Sequence, residues 1–231
     1  MPEKLDRWDP QLYEKNNDFQ YDSAMALLKQ LPIKQNQNVL DIGCGSGRIS
    51  AALAKRIHDG NLTGIDFSRK MIEFAKQKYL SIRNLNFIVM DADAMQFNSH
   101  GLNRNYYDWV ISFWTFSWIK HPEKVIFGIT QCLAKKGNIF LLIPCNNSAL
   151  ENTFFELRNK KLWRDINYQV PKNNFCLNFF RDLIEKYEFT NISYKSKKVI
   201  KKFSDRGSLI NFVRAWLSYL DPIPDLTRFI S

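Results

Sequence analysis

The chain has 231 residues, 45% of them apolar, and a formal net charge of +10 from 33 Lys plus Arg against 23 Asp plus Glu. That length and apolar content suit one folded α/β unit with an appended segment. No apolar run approaches the length of a membrane span, and the charged start (Glu3, Lys4, Asp6, Arg7, Asp9) does not read as a signal peptide, so a cytoplasmic protein without a membrane partner is expected.

Residues 11–31 lack interior proline and glycine and set Leu12, Phe19, Leu27, Leu28 and Leu31 among polar residues, which predicts one or two amphipathic helices ended by Pro32. Trp8, Tyr13 and Phe19 either pack against the domain or form an N-terminal lid. Residues 39–47, V-L-D-I-G-C-G-S-G, come next, with glycines at alternate positions 43, 45 and 47. They read as a buried strand breaking into a tight turn that opens a helix over residues 46–57. Glycine lets backbone approach a ligand, and the helix turns its N-terminal N–H groups toward the same place, so the stretch is a cofactor cradle. Cys44 lies inside the turn, where its backbone is what matters. The other cysteines (Cys132, Cys145, Cys176) show no metal-ligand spacing, so reduced thiols and no metal site are expected.

A short strand over residues 61–65 ends at Asp66, 23 residues beyond Gly43, near the spacing at which an acidic side chain accepts from a ribose hydroxyl pair. Ser68 can cap a helix over residues 69–79, whose Met71, Phe74 and Ala75 point to the sheet. Residues 86–90 form a third strand, followed by Asp91-Ala92. Asp91 either accepts from an adenine amino group or caps a turn. Strand four covers residues 107–113 and leads into W-T-F-S-W (residues 114–118). A helix over residues 123–134, a stop at Lys136-Gly137 and a fifth strand over residues 138–143 follow. The strict alternation predicts a Rossmann-like, doubly wound, mainly parallel sheet with helices on both faces. Beyond Pro144 come helical stretches over residues 149–164 and 178–187, a loop containing Pro171, a strand-like run over residues 190–203 and a helical pattern over residues 208–219. No strand-like run follows Phe203.

A nicotinamide fingerprint, G-x-G-x-x-G/A, fails because Arg48 stands at its sixth position. The set D-x-G-x-G-x-G over residues 41–47, with Asp66 and Asp91 ending the next two strands, resembles class I S-adenosylmethionine-dependent methyltransferases over residues 35–145. The resemblance implies that Asp41, Gly43, Cys44, Gly45 and Gly47 wrap the methionine part of S-adenosyl-L-methionine, Asp66 holds the ribose, and Asp91 with Ala92 frames the adenine. Phe67 and Met71 complete the implied cofactor set. One domain is expected, with residues 1–34 as a helical lid, 35–145 as cofactor-binding core and 146–231 as substrate-side helices and a C-terminal strand and helix.

The flanks Trp8-Asp9-Pro10, Tyr13, Gln20 and residues 112–118 resemble carboxylate O-methyltransferases of the trans-aconitate and juvenile hormone acid group, with a departure at Ser117, where that group more often has Gln or His. The resemblance implies that Gln20 and Trp118 hold a substrate carboxylate; as bare residues, Gln20 reads equally as an exposed helix position and Trp118 as a core aromatic. A carboxylic acid with a pKa near ~4.3 arrives ionised and needs no base, which agrees with only three histidines, His58, His100 and His121. Aromatics at residues 114–118 and 175–180 suit an apolar acyl pocket or the core. Three readings stand at this stage: a small-molecule carboxylate methyltransferase; a methyltransferase acting on an acidic carrier-protein-bound acid or another macromolecule, motivated by the lysine run at residues 195–202; and a non-catalytic binding subunit, motivated by the missing seventh strand. No [DNS]-P-P-[FYW] tetrapeptide follows strand four, which argues against nucleobase methylation and a nucleic-acid partner.

Overall fold

In the computed structural model, which describes residues 6–97, 101–144, 152, 156 and 177–216, the first helix, α1 (Pro10–Asn16), begins where Asp9 accepts from the Gln11 and Leu12 N–H groups at 3.0 and 2.9 Å. Pro10 takes the first helical position, where a missing N–H costs nothing. The second helix, α2 (Asp18–Leu28), follows after Asn17. Its C-terminal end is held by the Arg56 guanidinium, which donates to the carbonyls of Leu28, Leu31 and Ile33 and so satisfies acceptors a helix end leaves open.

The order continues β1 (Val39–Ile42), α3 (Arg48–Arg56), β2 (Leu62–Asp66), α4 (Arg69–Lys78), β3 (Leu85–Val89), a 3-10 turn (Ala92–Ala94), β4 (Tyr107–Phe113), a second 3-10 turn (Phe116–Trp118), α5 (Pro122–Cys132) and β5 (Leu133–Leu142). Helices α6 (Leu177–Glu185) and α7 (Arg206–Trp216) are the last described elements. The five strands form one sheet in the order β3-β2-β1-β4-β5, every pair parallel, with Leu40 between Thr63 on β2 and Val110 on β4. Strand order reverses between β1 and β4, so a crevice opens beyond the C-terminal ends of these central strands.

Both faces of the sheet are covered, which the near-continuous apolar runs of its strands require. Leu40, Ile42, Ile65 and Val110 meet Val125, Ile126 and Ile129 of α5 and Phe180 and Leu183 of α6. Val39, Leu62, Trp109 and Ile111 meet Ala24 and Leu28 of α2, Leu53 and Ala54 of α3, and Ile57 just beyond it. Ser68, fully buried, caps α4 by accepting from the Met71 N–H at 3.1 Å.

Two sequence expectations change. Helix α3 starts at Arg48 rather than Ser46, because Gly47 adopts φ +78° and Ser46 remains in the turn. Residues 190–203 form no strand: the lysines fall on both faces of the chain, and the adjacent Val199 and Ile200 are 53% and 72% exposed, so neither face offers an apolar side to bury. No described strand lies beyond β5. The helical stretch at residues 149–164, the loop at Pro171 and residues 217–219 fall outside the described residues, apart from helical assignments at 152 and 156. Among the described residues no helix is long and apolar enough to cross a membrane.

Gly47 combines a left-handed backbone with a Cβ position only 2.6 Å from Phe87 Cζ and 3.0 Å from Ala75 Cβ. Gly47→Ala is expected to destabilise the fold by roughly 2–5 kcal/mol, from the left-handed penalty together with overpacking. Urea unfolding should show a lower midpoint at unchanged slope; an unaltered midpoint would contradict the packing described.

Candidate functional site

The three glycines of the turn all have positive φ, yet they do different jobs. A Cβ on Gly43 would collide with Thr115 at 2.1 Å, and one on Gly47 with Phe87, so these two are glycine because protein closes onto them. Of the three, only Gly45 has room for a Cβ, which would rest in ordinary van der Waals contact with Tyr13 Cε1 at 3.6 Å. Gly45 is thus the turn glycine at which protein does not close in on the backbone. Cys44 turns its thiol away toward Ile72, Ala75 and Phe87, where burial pushes the thiol pKa well up and leaves it inert.

Asp66, at the end of β2, accepts from the Gly45 N–H through Oδ2 and from the Ser68 N–H through Oδ1, both at 2.9 Å. Each carboxylate oxygen has a second lone pair, so the group is fixed in orientation with acceptor capacity left for a hydroxyl pair. Desolvation raises its pKa from 3.8 to about 6, against the lowering by these two N–H bonds. Asp41, buried behind the turn, accepts from Ser50 Oγ at 2.5 Å, and desolvation raises its pKa to about 7.

Gly43, Gly45 and Asp66 border a cleft of about 710 Å³, its open mouth included. One wall is Gly43, Gly45, Asp66, Phe67, Met71, Asp91 and Ala92. Asp91 also accepts from the Asp93 N–H at 3.0 Å, so it caps the 3-10 turn, as one of its two sequence readings has it, while lining the cleft. Asp93 accepts from the N–H groups of Lys120 and His121, which ties the loop after β4 to this wall. The opposite wall is aromatic: Trp8, Tyr13, Trp114, Trp118 and Trp216. Trp8 packs edge-on to Tyr13 and Trp118 at 5.7 and 5.5 Å, so the N-terminal segment lies along the cleft. Polar contacts hold it down. Glu14 accepts from Ser46 Oγ and pairs with Lys78, Asp6 accepts from Ser68 Oγ at 2.8 Å, and Arg48 donates to Asn17 and Asp18 beneath the Tyr21 ring.

A smaller chamber shares Tyr13, Gly43, Phe113 and Trp114 with the cleft and adds Gln20, Asp41, Cys44, Ser46 and Arg48. Gln20 is 3% exposed and its Oε1 has no hydrogen-bond partner. The structure thus places Gln20 and Trp118 on different chambers: Trp118 lines the cleft, whereas the tryptophan that shares a chamber with Gln20 is Trp114. Gly47 lines neither, being closed into the fold.

Phe180 packs on Phe116 in the core, so it is no wall of the cleft; residues 175 and 176 lie outside the described residues. His58 pairs with Asp59 and His121 with Glu123 away from both chambers, and His100 is not among the described residues. Trp216 was not legible as a site residue, because the pattern of its helix says nothing of where the helix docks. α7 packs against α1, and that contact brings Trp216 to the cleft.

The family model described as a methyltransferase domain matches residues 33–198. Protein 235L of Invertebrate iridescent virus 6, whose name assigns it provisionally to the methyltransferases, is 30% identical over 94% of this chain and 79% of its own length. A malonyl-[acyl-carrier protein] O-methyltransferase of Ilyobacter polytropus is 29% identical, covering 82% of this chain and 72% of that one. The juvenile hormone acid O-methyltransferase of Bombyx mori is 23% identical over 88% and 77%. Among solved structures, phosphoethanolamine N-methyltransferase 2 of Haemonchus contortus with S-adenosyl-L-methionine superposes with a TM-score of 0.61 at 19% identity, covering 79% of this chain and 41% of that one, a likeness of fold.

The cradle fits such a cofactor: Gly45 leaves backbone bare, and Asp66 keeps two oriented oxygens with capacity to spare. Its pH response has a definite sign. In the free protein Asp66 and Asp41 hold protons to about pH 6 and 7, whereas the unfolded chain releases them near 3.8, so their contribution to stability is full below about 3.8 and is lost as pH rises through 6 to 7. A cationic ligand that also donates hydroxyls favours the ionised carboxylates. Affinity for S-adenosylmethionine, measured by calorimetry between pH 5 and 7, is therefore expected to rise with pH, with net proton release on binding. PH-independent affinity would contradict this account.

Proposed function

This chain belongs to the S-adenosylmethionine-dependent methyltransferase family, and we propose that the group it methylates is the carboxylate of a small apolar organic acid. The observation that carries the reading is what the cleft lacks among its described lining: no histidine, lysine, cysteine or glutamate. Asp66 and Asp91 are taken up by turn and cap contacts and by the cofactor role, and Tyr13, desolvated among Asp66, Glu14 and Asp41, has its hydroxyl pKa raised and stays protonated. With no base at hand, an acceptor that arrives ionised fits best, and a carboxylate does so at neutral pH.

S-adenosylmethionine, when bound, supplies a methyl group on a positively charged sulfur. The chain's own residues hold and dehydrate. Asp66, Asp91 and the Ala92 backbone orient the adenosine; Trp8 and Tyr13 close the lid and exclude water; Trp118 and Trp216 wall the apolar part of the acceptor; Gln20 positions its carboxylate. The names of two relatives, methyltransferases acting on juvenile hormone acid and on a malonyl-carrier protein, agree with a carboxyl acceptor.

The second relative, together with the exposed lysines at 195, 197, 198 and 202, favours a second reading, an acid delivered on an acidic carrier protein. Incubation with methyl-labelled cofactor and a panel of free fatty acids, trans-aconitate and their carrier-protein thioesters separates the two. Base-labile methyl esters of the free acids, at turnover insensitive to salt, are the expected result. Esters formed only on the carrier, with turnover falling steeply between 50 and 200 mM salt (roughly the range over which screening takes hold), would establish the second reading. Base-stable products would refute both.

A further inference from the structure

We propose that residues 195–200, K-S-K-K-V-I, attach this protein to an anionic lipid surface, the lysines pairing with head groups while Val199 and Ile200 enter the apolar layer beneath. The inference builds on the carboxylate reading above, since an apolar acid collects in such a layer. It gives the lysine run to lipid and not to a carrier. Three observations support it.

The first is the make-up of the exposed segment. Residues 190–203 carry five lysines and no acidic residue. Lys195, Lys197, Lys198 and Lys202 are exposed, and beside them Val199 and Ile200 are 53% and 72% exposed. Aliphatic side chains exposed singly are common on protein surfaces and need no partner. Two in succession, flanked by lysines, meet the two demands of a lipid interface: charge for the head groups and hydrocarbon for the layer below them. Lysine suits that boundary further, because its alkyl stem can lie along hydrocarbon while the ammonium stays in the polar layer.

The second is that all six residues from Lys195 to Ile200 are exposed, so protein covers neither side of the chain. A protein partner docks on one face of a segment and leaves the other in water. A fluid lipid layer closes around it from every side, which favours lipid over an acidic protein.

The third is anchorage beside the cleft. Before the segment, Tyr194 lies against Arg181 of α6, the guanidinium 5.6 Å from the ring centre. After it, Lys201 folds inward, its ammonium standing over the rings of Phe19, Phe203 and Phe212 at 5.5, 5.2 and 5.3 Å. These cation–π contacts hold both ends. Phe19 of α2 packs on Trp114 at 5.5 Å and Phe212 of α7 on Trp216 at 5.6 Å, and both tryptophans line the cleft. Docking through this segment therefore brings the cleft close to the phase that holds an apolar acid and takes up its uncharged methyl ester. Attachment of this kind requires neither a span nor a signal peptide, on whose lack the expectation of no membrane partner rested.

The test is co-sedimentation of the full chain with vesicles of phosphatidylcholine, alone or with one-third phosphatidylserine. At roughly fivefold per lysine, the anionic vesicles are expected to bind on the order of a hundredfold more tightly than the neutral ones, and raised salt to weaken the binding. Lys197→Gln with Lys198→Gln should weaken it about twentyfold, and Val199→Ser with Ile200→Ser about tenfold. Both variants should methylate dissolved octanoate at the wild-type rate, since neither pair lines the cleft, but palmitate presented in the anionic vesicles more slowly. Equally weak binding to both vesicles overturns the proposal, and base-labile octanoate esters formed by the same protein would show the carboxylate reading unharmed. Binding that the lysine changes weaken and the aliphatic changes leave intact also overturns it, as the attraction of a basic segment to any anionic surface. So does failure to sediment where an immobilised acidic carrier protein retains the chain and releases both variants, which gives the segment to a protein. Vesicle binding as expected, with no ester formed from any acid, refutes the carboxylate reading and leaves the attachment standing.

Discussion

The site depends on one carboxylate with two bonds. Asp66 Oδ2 holds the N–H of Gly45 and Oδ1 that of Ser68, so a single group at the end of β2 fixes the turn after β1 and the entry to α4 at once. The turn cannot be held by its own side chains, since three of its residues are glycines in left-handed conformations that cost conformational entropy to fix. Asp66 supplies the missing restraint from the neighbouring strand. Ser68, positioned by the same carboxylate, caps α4 and donates to Asp6, so the restraint extends to the first described residue of the lid. Removing that carboxylate would loosen the glycine turn, the α4 entry and the Ser68–Asp6 contact together.

The lid rests on the cradle through further polar contacts that come from the turn region itself. Glu14 reaches Ser46 and Lys78, while Arg48 reaches back to Asn17, Asp18 and the Tyr21 ring. Such contacts are modest in energy where exposed and can be broken singly. The rings of this segment, Trp8 and Tyr13, face the cleft.

Where a residue's role is local, the sequence carried it. The strand and helix order through β5, Ser68 as a cap, Asp66 at a strand end and the glycine turn all follow from periodicity and turn chemistry. Boundaries moved by one or two residues, as at α3, where Arg48 rather than Ser46 begins the helix. Roles that depend on what a residue meets across the fold were illegible. Nothing near Gly43 or Gly47 announces that Thr115 and Phe87 will fill the space a Cβ would take, and nothing in the pattern of α7 announces that α1 will draw Trp216 to the cleft. The same limit separated Gln20 from Trp118: spacing puts both near the substrate side, but only the docking of α2 decides which tryptophan shares its chamber. The lysine run misled for another reason. A strand needs a face to bury, and adjacent exposed Val199 and Ile200 among lysines on both sides leave it none.

The electrostatics of the site argue for the class of reaction. Asp41 and Asp66 sit in a desolvated pair of chambers with pKa values raised to about 7 and 6, a state that a cation relieves. A reaction joining an anion to a cationic methyl donor destroys both charges, and such a reaction is favoured by removing water, since opposite charges attract more strongly and lose less hydration on neutralisation in a medium of low dielectric. Aromatic walls serve that chemistry well. They would serve methylation of a neutral amine less, because there the positive charge survives the transfer and still needs solvation among rings and half-titrated carboxyls.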